Sequence, residues 1–263
     1  MKVKSQLLKK VALFISFIFL LPCKDTLAQE YNHDSKAGMI ANTSLEAMGG
    51  RKNYNDVRYI SWLFFGRRFH VWDKHTGDIR IEYGEGKNNL LLMNIHNKKG
   101  RVWENGKEVK DKALLAEKMK WGYEVWINDS YWVVMPYKLH DPGVNLTYSR
   151  EDKSSDGRPV DVLTMTFNEV GVTPENKYEV FIDKESHFIT EFSYYPKVED
   201  KEPKFLLPWK NWRPYGKIML SDNRGENGMA PLNTFATLPT EIFNQYSPAK
   251  DTKGKYIAGS MLR

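Results

Sequence analysis

Cysteine is almost absent from this chain of 263 residues, in which Cys23 is the only one. Residues beyond it hold no thiol, so they can form neither a disulfide framework nor a thiol nucleophile nor a cysteine-based metal site. A domain made from residues 29–263 must instead be stabilised by its apolar core. A chain of about 235 residues can bury enough apolar surface for that.

Long hydrophobic runs are equally scarce. The longest, Val11–Leu21, has about eleven residues, which is well short of the roughly 20 needed to span a bilayer as a helix. Four lysines precede it and the small-residue pattern Thr26-Leu27-Ala28 follows it, as in a secretory signal. We therefore predict a signal peptide over residues 1–28, cleavage after Ala28, a single exported domain over residues 29–263, and no transmembrane span.

The alternative at this end of the chain is a lipid anchor. Cys23 follows Leu20-Leu21, as a lipid-attachment cysteine would, but Pro22 occupies the position where such signals have a small residue. Cleavage at Ala28 and a periplasmic location are the preferred interpretation, with anchoring through Cys23 kept as the alternative.

The excess of positive charge is small once the signal is set aside. The whole chain carries a net charge of +6, but the first 28 residues hold five of its 39 basic and one of its 33 acidic residues, leaving a net +2. A domain this close to neutral is not typical of nucleic-acid binding, so no nucleic-acid partner is predicted.

Catalytic motifs are missing as well. Ser221-Asp222-Asn223 matches one fragment of the penicillin-recognising enzymes, but the only Ser-x-x-Lys, at Ser247–Lys250, follows it instead of preceding it. The sequence also lacks a nucleophile elbow, a phosphate-binding glycine loop and a dinucleotide fingerprint. We predict no enzymatic activity and no cofactor.

His70, Asp73 and His75 are candidates for a metal site, because their side chains are of the types that bind metals. On a continuous strand His70 and Asp73 point to opposite faces, and no second cluster at ligand spacing follows. No metal site is predicted.

What the sequence does contain is a dense series of short strands and two helical stretches. A helix over residues 35–48 is predicted from Asp34 as its cap and Gly49-Gly50 as its stop, and a second over 111–121, with the helical pattern broken beyond Gly122. The predicted strands are Val57–Phe65, Phe69–Asp73, Asp78–Tyr83, Asn88–Ile95, Arg101–Glu104, Tyr131–Met135, Val144–Tyr148, Val160–Phe167, Lys177–Ile182, Ile189–Tyr195, Tyr215–Leu220 and Leu232–Leu238. This order predicts a mainly β fold, either a barrel, an open barrel or a curved antiparallel sheet with helices across it.

Aromatic residues are abundant, with 8 Trp, 14 Tyr and 13 Phe. In Trp62-Leu63-Phe64-Phe65, strand alternation places Trp62 and Phe64 on one face and Leu63 and Phe65 on the other, so both faces require cover. One face then packs the core and the other forms the wall of an apolar cavity, or both faces are ordinary core. The sequence leaves these two alternatives open.

Three motifs carry a resemblance to a known group of proteins. They are Asn128-Asp-Ser-Tyr-Trp132 with the following Met135-Pro-Tyr-Lys-Leu139 and Asp141-Pro-Gly-Val144, His70-Val-Trp-Asp73 with Gly77 and Arg80, and Trp212-Arg-Pro-Tyr-Gly-Lys-Ile218. The chain resembles, over most of residues 35–243, an uncharacterised branch of the LolA/LolB-like outer-membrane lipoprotein-sorting superfamily. That resemblance implies an open, incomplete antiparallel barrel whose concave apolar face is crossed by helices and accepts acyl chains.

The predicted function is non-catalytic binding of a lipid or lipid-modified ligand in an apolar cavity, with envelope lipoproteins as further partners. The alternatives are an envelope glycan-binding module, since Trp and Tyr also stack on sugars, and an unrecognised hydrolase. A cavity wall should combine large rings, adaptable methionines and few polar groups. The candidate ligand-binding residues are Trp62, Phe64, Trp72, Trp103, Leu115, Met119, Trp132, Met135, Tyr137 and Tyr215.

Overall fold

The fold is mainly antiparallel β-structure, described by a computed structural model for residues 35–168 and 173–262. Over these residues the helices are α1 (Lys36–Ala47), α2 (Gly50–Asp56) and α3 (Lys112–Val134), with short 3₁₀ turns at Met135–Tyr137 and Thr240–Phe243. The strands are β1 (Tyr59–Phe64), β2 (Arg68–Asp73), β3 (Asp78–Tyr83), β4 (Asn89–Asn94), β5 (Lys99–Glu104), β6 (Lys107–Glu108), β7 (Val144–Lys153), β8 (Pro159–Phe167), β9 (Lys177–Asp183), β10 (Ile189–Tyr195), β11 (Phe205–Pro208), β12 (Lys210–Tyr215), β13 (Ile218–Arg224), β14 (Asn227–Gly228) and β15 (Leu232–Phe235). The predicted signal segment, residues 1–28, lies outside the described residues.

The strands form three antiparallel sheets, none of them closed into a barrel within the described residues. A seven-stranded sheet has the order β15-β1-β2-β3-β4-β5-β6, a five-stranded sheet the order β11-β10-β9-β8-β7, and a three-stranded sheet the order β12-β13-β14. Hairpin pairing between consecutive strands accounts for most of this order, as expected for short strands joined by short polar turns. The predicted class, an open antiparallel β fold with helices across it, is confirmed.

Helix α1 begins one residue later than the sequence indicated. Its N-cap is Ser35, whose hydroxyl accepts a hydrogen bond from the Gly38 amide at 3.0 Å, whereas the predicted cap, Asp34, lies outside the described residues. Helix α1 ends just before Gly49, which has a φ of 108°, and the unpredicted helix α2 follows. Gly49 is required there also by packing, because a Cβ would lie 2.3 Å from the Lys217 carbonyl oxygen.

The seven-stranded sheet is covered on both faces. On the first face Ile60, Trp62 and Phe64 pack against the helices, and α3 covers Ile79, Ile81, Leu91, Met93 and Val102. On the second face Tyr59, Phe69 and Val71 pack against residues of the carboxy-terminal segment, Leu238, Ile242, Ala249 and Ile257. Both faces of the strand carrying Trp62 are therefore core, which decides between the two alternatives left by the sequence.

Buried charges hold the carboxy-terminal segment onto that second face. Arg80 Nε donates to Glu82 Oε1 at 2.7 Å, with both side chains fully buried, and Arg80 Nη1 donates to the Ile242 carbonyl at 3.0 Å. Glu82 in turn accepts hydrogen bonds from the Ser260 hydroxyl at 3.1 Å and the Leu262 amide at 2.8 Å. Burial is tolerated because every contact is to a charged or polar partner.

The predicted strand Tyr131–Met135 is wrong, because this stretch is the end of α3. The break predicted at Gly122 does not occur, and the helix runs for 23 residues, Lys112–Val134. Its N-cap is Asp111, whose carboxylate accepts a hydrogen bond from the Leu114 amide at 2.8 Å. Glycine at position 122 serves close packing instead, since a Cβ there would lie 2.3 Å from Leu91 Cδ1. Aromatic and β-branched residues favour strands only weakly, and here tertiary packing determines the structure.

Among the other differences from the predicted strands, two concern aromatic residues, Tyr215 and Phe65. Tyr215 ends β12 and is followed by a turn at Gly216, so the strand predicted over Tyr215–Leu220 is two strands of one hairpin. Phe65 leaves β1 with a φ of 48°, and its ring stacks on Phe64 at 4.1 Å between centroids. Phe65 therefore packs on the same side as Phe64, because strand alternation no longer holds past the end of the strand.

Candidate functional site

An open groove runs along α3, made of three adjoining depressions that share lining residues. The amino-terminal depression, of about 730 Å³, lies between the first half of α3 and the turn joining β4 to β5. The central depression, of about 680 Å³, follows the middle of α3, and the aromatic depression, of about 270 Å³, lies between the end of α3 and the five-stranded sheet. We call the three together the α3 groove. The two larger depressions each have a volume in the range of small-molecule sites, roughly 300–1,000 Å³.

The lining is largely aromatic. The central depression is walled by Trp72, Tyr123, Trp126, Tyr131, Trp132, Phe167 and Tyr178, and the aromatic depression adds Phe192, Tyr194, Phe205 and Trp209. Trp132 is common to both and packs edge-on against Phe192, at 5.0 Å between ring centroids. Rings in edge-to-face contact give a stiff apolar wall that needs no polar partner from a ligand.

In the central and aromatic depressions, the side chains of Asn128 and Asn176 already have hydrogen-bond partners. Asn176 Oδ1 accepts from the Tyr194 hydroxyl at 3.3 Å, and Asn128 Nδ2 donates to Asp129 at 2.9 Å. Burial raises the pKa of Tyr178 to about 12, so its hydroxyl is neutral at physiological pH. A groove with this composition can orient a ligand through a small number of hydrogen bonds but gains its affinity from apolar contact.

A buried ion pair fixes α3 on the sheet beneath the groove. Asp129, which has no exposed surface, accepts hydrogen bonds from Arg68 Nε at 2.6 Å and Arg68 Nη2 at 2.9 Å. It also accepts one from His70 Nε2 at 2.8 Å, and the His70 ring stacks on Trp62 with 4.5 Å between centroids. Charge-assisted, two-point pairing of this kind sets geometry as well as energy.

The charge states in this cluster follow from burial and from each partner. Burial lowers the pKa of His70 and outweighs the opposing effect of Asp129, so the imidazole is neutral and donates through Nε2. Burial alone would raise the pKa of Asp129, but the hydrogen bonds from His70 and Arg68 outweigh it and lower the pKa. The cluster is therefore an Asp129–Arg68 ion pair with a neutral histidine beside it.

The carboxy-terminal end of α3 is held by a second buried cation. Arg224 on β13 donates through Nη2 to the Trp132 carbonyl at 2.7 Å, and its guanidinium lies 3.5 Å from the centroid of the Trp209 ring. Trp132 and Trp209 both line the aromatic depression. Arg224 thus satisfies a carbonyl at the helix end and supports two groove walls from behind.

Five of the ten candidate residues line the groove: Leu115 and Met119 in the amino-terminal depression, Trp72 in the central one, Trp132 in the central and aromatic ones, and Met135 in the aromatic one. The structure brings them together along α3. Three others, Trp62, Phe64 and Tyr137, pack in the core cluster that also contains Val133 and Val134 of α3, which we call the main core. There the Tyr137 hydroxyl donates to the Met48 and Met219 carbonyls.

The remaining two candidates lie elsewhere. Trp103 is on the opposite face of the seven-stranded sheet with Leu90, Leu92 and Leu262, and Tyr215 is half-buried at the edge of the main core. Neither lines a described depression.

Several lining residues were not anticipated from the sequence: Tyr123, Trp126, Tyr131, Phe167, Tyr178, Phe192, Tyr194, Phe205 and Trp209. Four of them lie on β8–β10, whose apolar side faces the groove, and a period-two pattern cannot say which of two apolar faces is covered. Tyr123, Trp126 and Tyr131 could not be predicted as lining residues, because the predicted helix ended before Gly122 and α3 continues beyond it.

Metal ligation finds no support in the geometry of residues 35–168 and 173–262, where no three His, Cys, Asp or Glu side chains converge. Asp73, one of the three side chains of metal-binding type in the sequence, instead pairs with Arg58, whose Nη2 lies 3.0 Å from Asp73 Oδ2. Asp73 also accepts a hydrogen bond from the His75 amide. Within the same residues no helix is long and apolar enough to cross a membrane.

Comparisons with known proteins give likenesses of fold only. No family model matches the chain. No curated protein matches it by sequence. Among solved structures it is similar to a protein of the DUF1329 family from Desulfovibrio piger, at 12% identity over 80% of this chain and 98% of that one, with a TM-score of 0.44.

Two further similar structures are described as an outer membrane lipoprotein-sorting protein domain and a LolA superfamily protein. A putative outer membrane lipoprotein-sorting protein domain from Vibrio parahaemolyticus matches at 13% identity over 78% of this chain and 97% of that one, with a TM-score of 0.37. A LolA superfamily protein from Nitrosomonas europaea matches at 10% identity over 78% and 97%, with a TM-score of 0.32.

Proposed function

We propose that this chain is a non-catalytic protein of the cell envelope that binds an acyl chain of a lipid or lipid-modified molecule in the α3 groove. The observation that carries the proposal is the groove itself, an open depression beside α3 walled by packed aromatic rings. Each methylene buried there contributes about 0.8 kcal/mol, so a long acyl chain binds tightly without specific polar contacts.

The absence of a catalytic role is part of the proposal. The buried acid and imidazole next to the groove are engaged structurally, because Asp129 pairs with Arg68 and His70 donates to Asp129. In the central depression, Lys138 pairs with Asp141. An acid–base catalyst must present a group to the reacting atom at hydrogen-bond distance. Asp129 on α3 and His70 on β2 are buried and bonded to each other, and neither is among the groove-lining residues.

The test is direct binding by the intact protein. Protein purified without detergent is extracted with organic solvent, and the extract is analysed by mass spectrometry. The delipidated protein is then titrated with an uncharged fluorescent probe, the methyl ester of a polyene fatty acid. We expect copurified lipid and saturable binding of the probe.

Two tryptophan variants localise the binding. Trp132→Ala removes a ring from the groove and should weaken binding of the probe roughly tenfold, about 1.4 kcal/mol. Trp103→Ala removes a ring from the opposite face of the sheet and should leave the dissociation constant unchanged. The proposal is wrong if the protein carries no lipid and does not bind the probe, and oligosaccharide binding by such a protein would favour the glycan-binding alternative.

A further inference from the structure

The amino-terminal depression of the α3 groove has a cationic rim. Its lining includes four lysines: Lys98 from the turn between β4 and β5, Lys99 from the start of β5, and Lys112 and Lys120 from α3. They face a single acidic residue, Glu124. Its floor is apolar, formed by Leu115, Ala116, Met119 and Gly100. Since residues 29–263 carry a net charge of only +2, four lysines around one apolar floor are a local concentration of positive charge.

Three of these lysines have no acidic partner among the described residues. Lys120 lies 4.0 Å from Glu124, whereas Lys98, Lys99 and Lys112 form no ion pair. The neighbouring Lys118, which does not line the depression, is neutralised by Glu104 at 2.6 Å. The positive charge is thus left uncompensated on the side that faces the depression.

The turn that presents Lys98 and Lys99 is fixed by local hydrogen bonds. Asn94 accepts from the Lys98 amide through its carbonyl at 2.8 Å, and its side chain accepts from the His96 amide at 3.1 Å. Lys98 has a φ of 56°, and its ammonium lies 4.1 Å from the centroid of the Tyr123 ring. Gly100 must be glycine, because a Cβ would lie 1.9 Å from the Leu92 carbonyl oxygen.

The rim is continuous with the apolar part of the groove. Lys98, Tyr123 and Glu124 line both the amino-terminal and the central depression. A ligand with its polar end among the lysines can therefore extend its apolar part past Tyr123 toward Trp72 and Trp126. The positively charged rim and the aromatic wall thus follow one another along the groove, as the head group and the acyl chain do in an amphiphile.

We infer that the ligand is an anionic amphiphile, whose negatively charged head group lies among Lys98, Lys99, Lys112 and Lys120 while its acyl chain enters the central depression. This inference rests on the proposed function and adds to it the charge of the ligand and the direction in which it lies. Clustered cations without partners attract an anionic group and distinguish it from a neutral head group.

The experiment compares two probes that differ only in charge. The full-length protein is titrated with a polyene fatty acid anion and with its uncharged methyl ester, at low and at high salt. The rim variant is Lys99→Gln with Lys112→Gln, and the matched control is Lys253→Gln with Lys255→Gln, two exposed lysines of the carboxy-terminal segment. Far-ultraviolet circular dichroism confirms that both variants are folded.

We expect the anion to bind roughly tenfold more tightly than the ester at low salt, with the advantage lost at high salt and in the rim variant. The control variant should keep the advantage, and the ester should bind all proteins equally. The inference is overturned if anion and ester bind the parent protein with the same affinity. Failure of both probes to bind would instead overturn the proposed function.

A vesicle experiment distinguishes binding of a head group in the depression from attachment of the protein to a membrane surface. Each protein is sedimented with vesicles of anionic or of neutral phospholipid. If the rim variant loses sedimentation with anionic vesicles while it retains the preference for the anionic probe, the lysines serve surface attachment and the inference is wrong. Unchanged sedimentation together with a lost probe preference supports it.

Discussion

Arg68 on β2 and Asp129 on α3 form a two-point ion pair, with Arg68 Nε and Nη2 at 2.6 and 2.9 Å from the two carboxylate oxygens. The pair joins the helix to the sheet at the level of the groove, with Asp129 fully buried and Arg68 reaching toward the surface. Because it fixes both the height and the rotation of α3, the position of Trp132, three residues along the helix, depends on it.

Asp129→Asn should lower the free energy of unfolding by about 3 kcal/mol, because the change leaves Arg68 without a carboxylate partner in a mostly buried position. Equilibrium unfolding in urea measures the change. The matched control is Asp56→Asn, which breaks the exposed Lys52–Asp56 pair and should have no measurable effect. Equal effects of the two variants would contradict the structural role assigned to Asp129.

The stability of the fold should decrease in mild acid because of His70. Burial lowers its pKa in the folded state, so the unfolded state, with a histidine pKa of about 6.5, takes up a proton more readily. The contribution of neutral His70 to the free energy of unfolding is fully present above about pH 6.5. It falls as the pH decreases toward the folded-state pKa, by at most about 1.4 kcal/mol per pH unit for one proton.

The control for this pH dependence is His70→Gln, whose amide can still donate to Asp129 but does not titrate. Its urea midpoint should change less between pH 6.5 and 5 than that of the parent protein. A further loss below about pH 4, from the lowered pKa of Asp129, should persist in the variant. The same slope in both proteins between pH 6.5 and 5 would assign the effect to another group.

Trp62 and Trp72 should respond differently to truncation, although both were candidates for the cavity wall. Trp62 has no exposed surface and stacks on His70, so Trp62→Ala should cost about 3–5 kcal/mol of stability. Trp72 is only partly buried and lines the central depression, so Trp72→Ala should cost less and weaken binding of the methyl ester probe. Urea unfolding and probe titration on each variant check both expectations.

Gly122→Ala should destabilise the protein by about 1–2 kcal/mol, although alanine is the better helix former. The added Cβ would lie 2.3 Å from Leu91 Cδ1, so the fully buried Leu91 side chain would have to shift within its packed cluster. In a Leu91→Ala background the same substitution should become neutral or stabilising, because the obstructing side chain is gone. A penalty of the same size in both backgrounds would show that the contact is not its cause.

The sequence predicted most strands because their alternation and turn residues are local signals. The bounds of Asp78–Tyr83 and Ile189–Tyr195 were predicted to the residue. It failed at Tyr131–Met135, where aromatic and β-branched residues are typical of a strand. Val133 and Val134 are instead buried in the main core by helix packing, a contact set by distant residues.

The candidate site was harder to predict than the fold. Residue type alone could not separate Trp132, which lines the groove, from Trp62, which is core, because the difference lies in what covers each ring. The Asp129 side chain gave no signal either, since a lone Asp before an aromatic run is typical of a turn. Its partners, Arg68 and His70, are about sixty residues away along the chain.

The pairing of β15 with β1 has a consequence for how the chain acquires its structure. Tyr59–Trp62 pair with Leu232–Phe235, so the seven-stranded sheet is completed by residues from nearly opposite ends of the described chain. While the chain is made from its amino terminus, β1 remains an unpaired edge until almost all residues have followed it. Long-range pairing of this kind forms more slowly than the local hairpins, and the edge of β1 is open to wrong partners in the meantime.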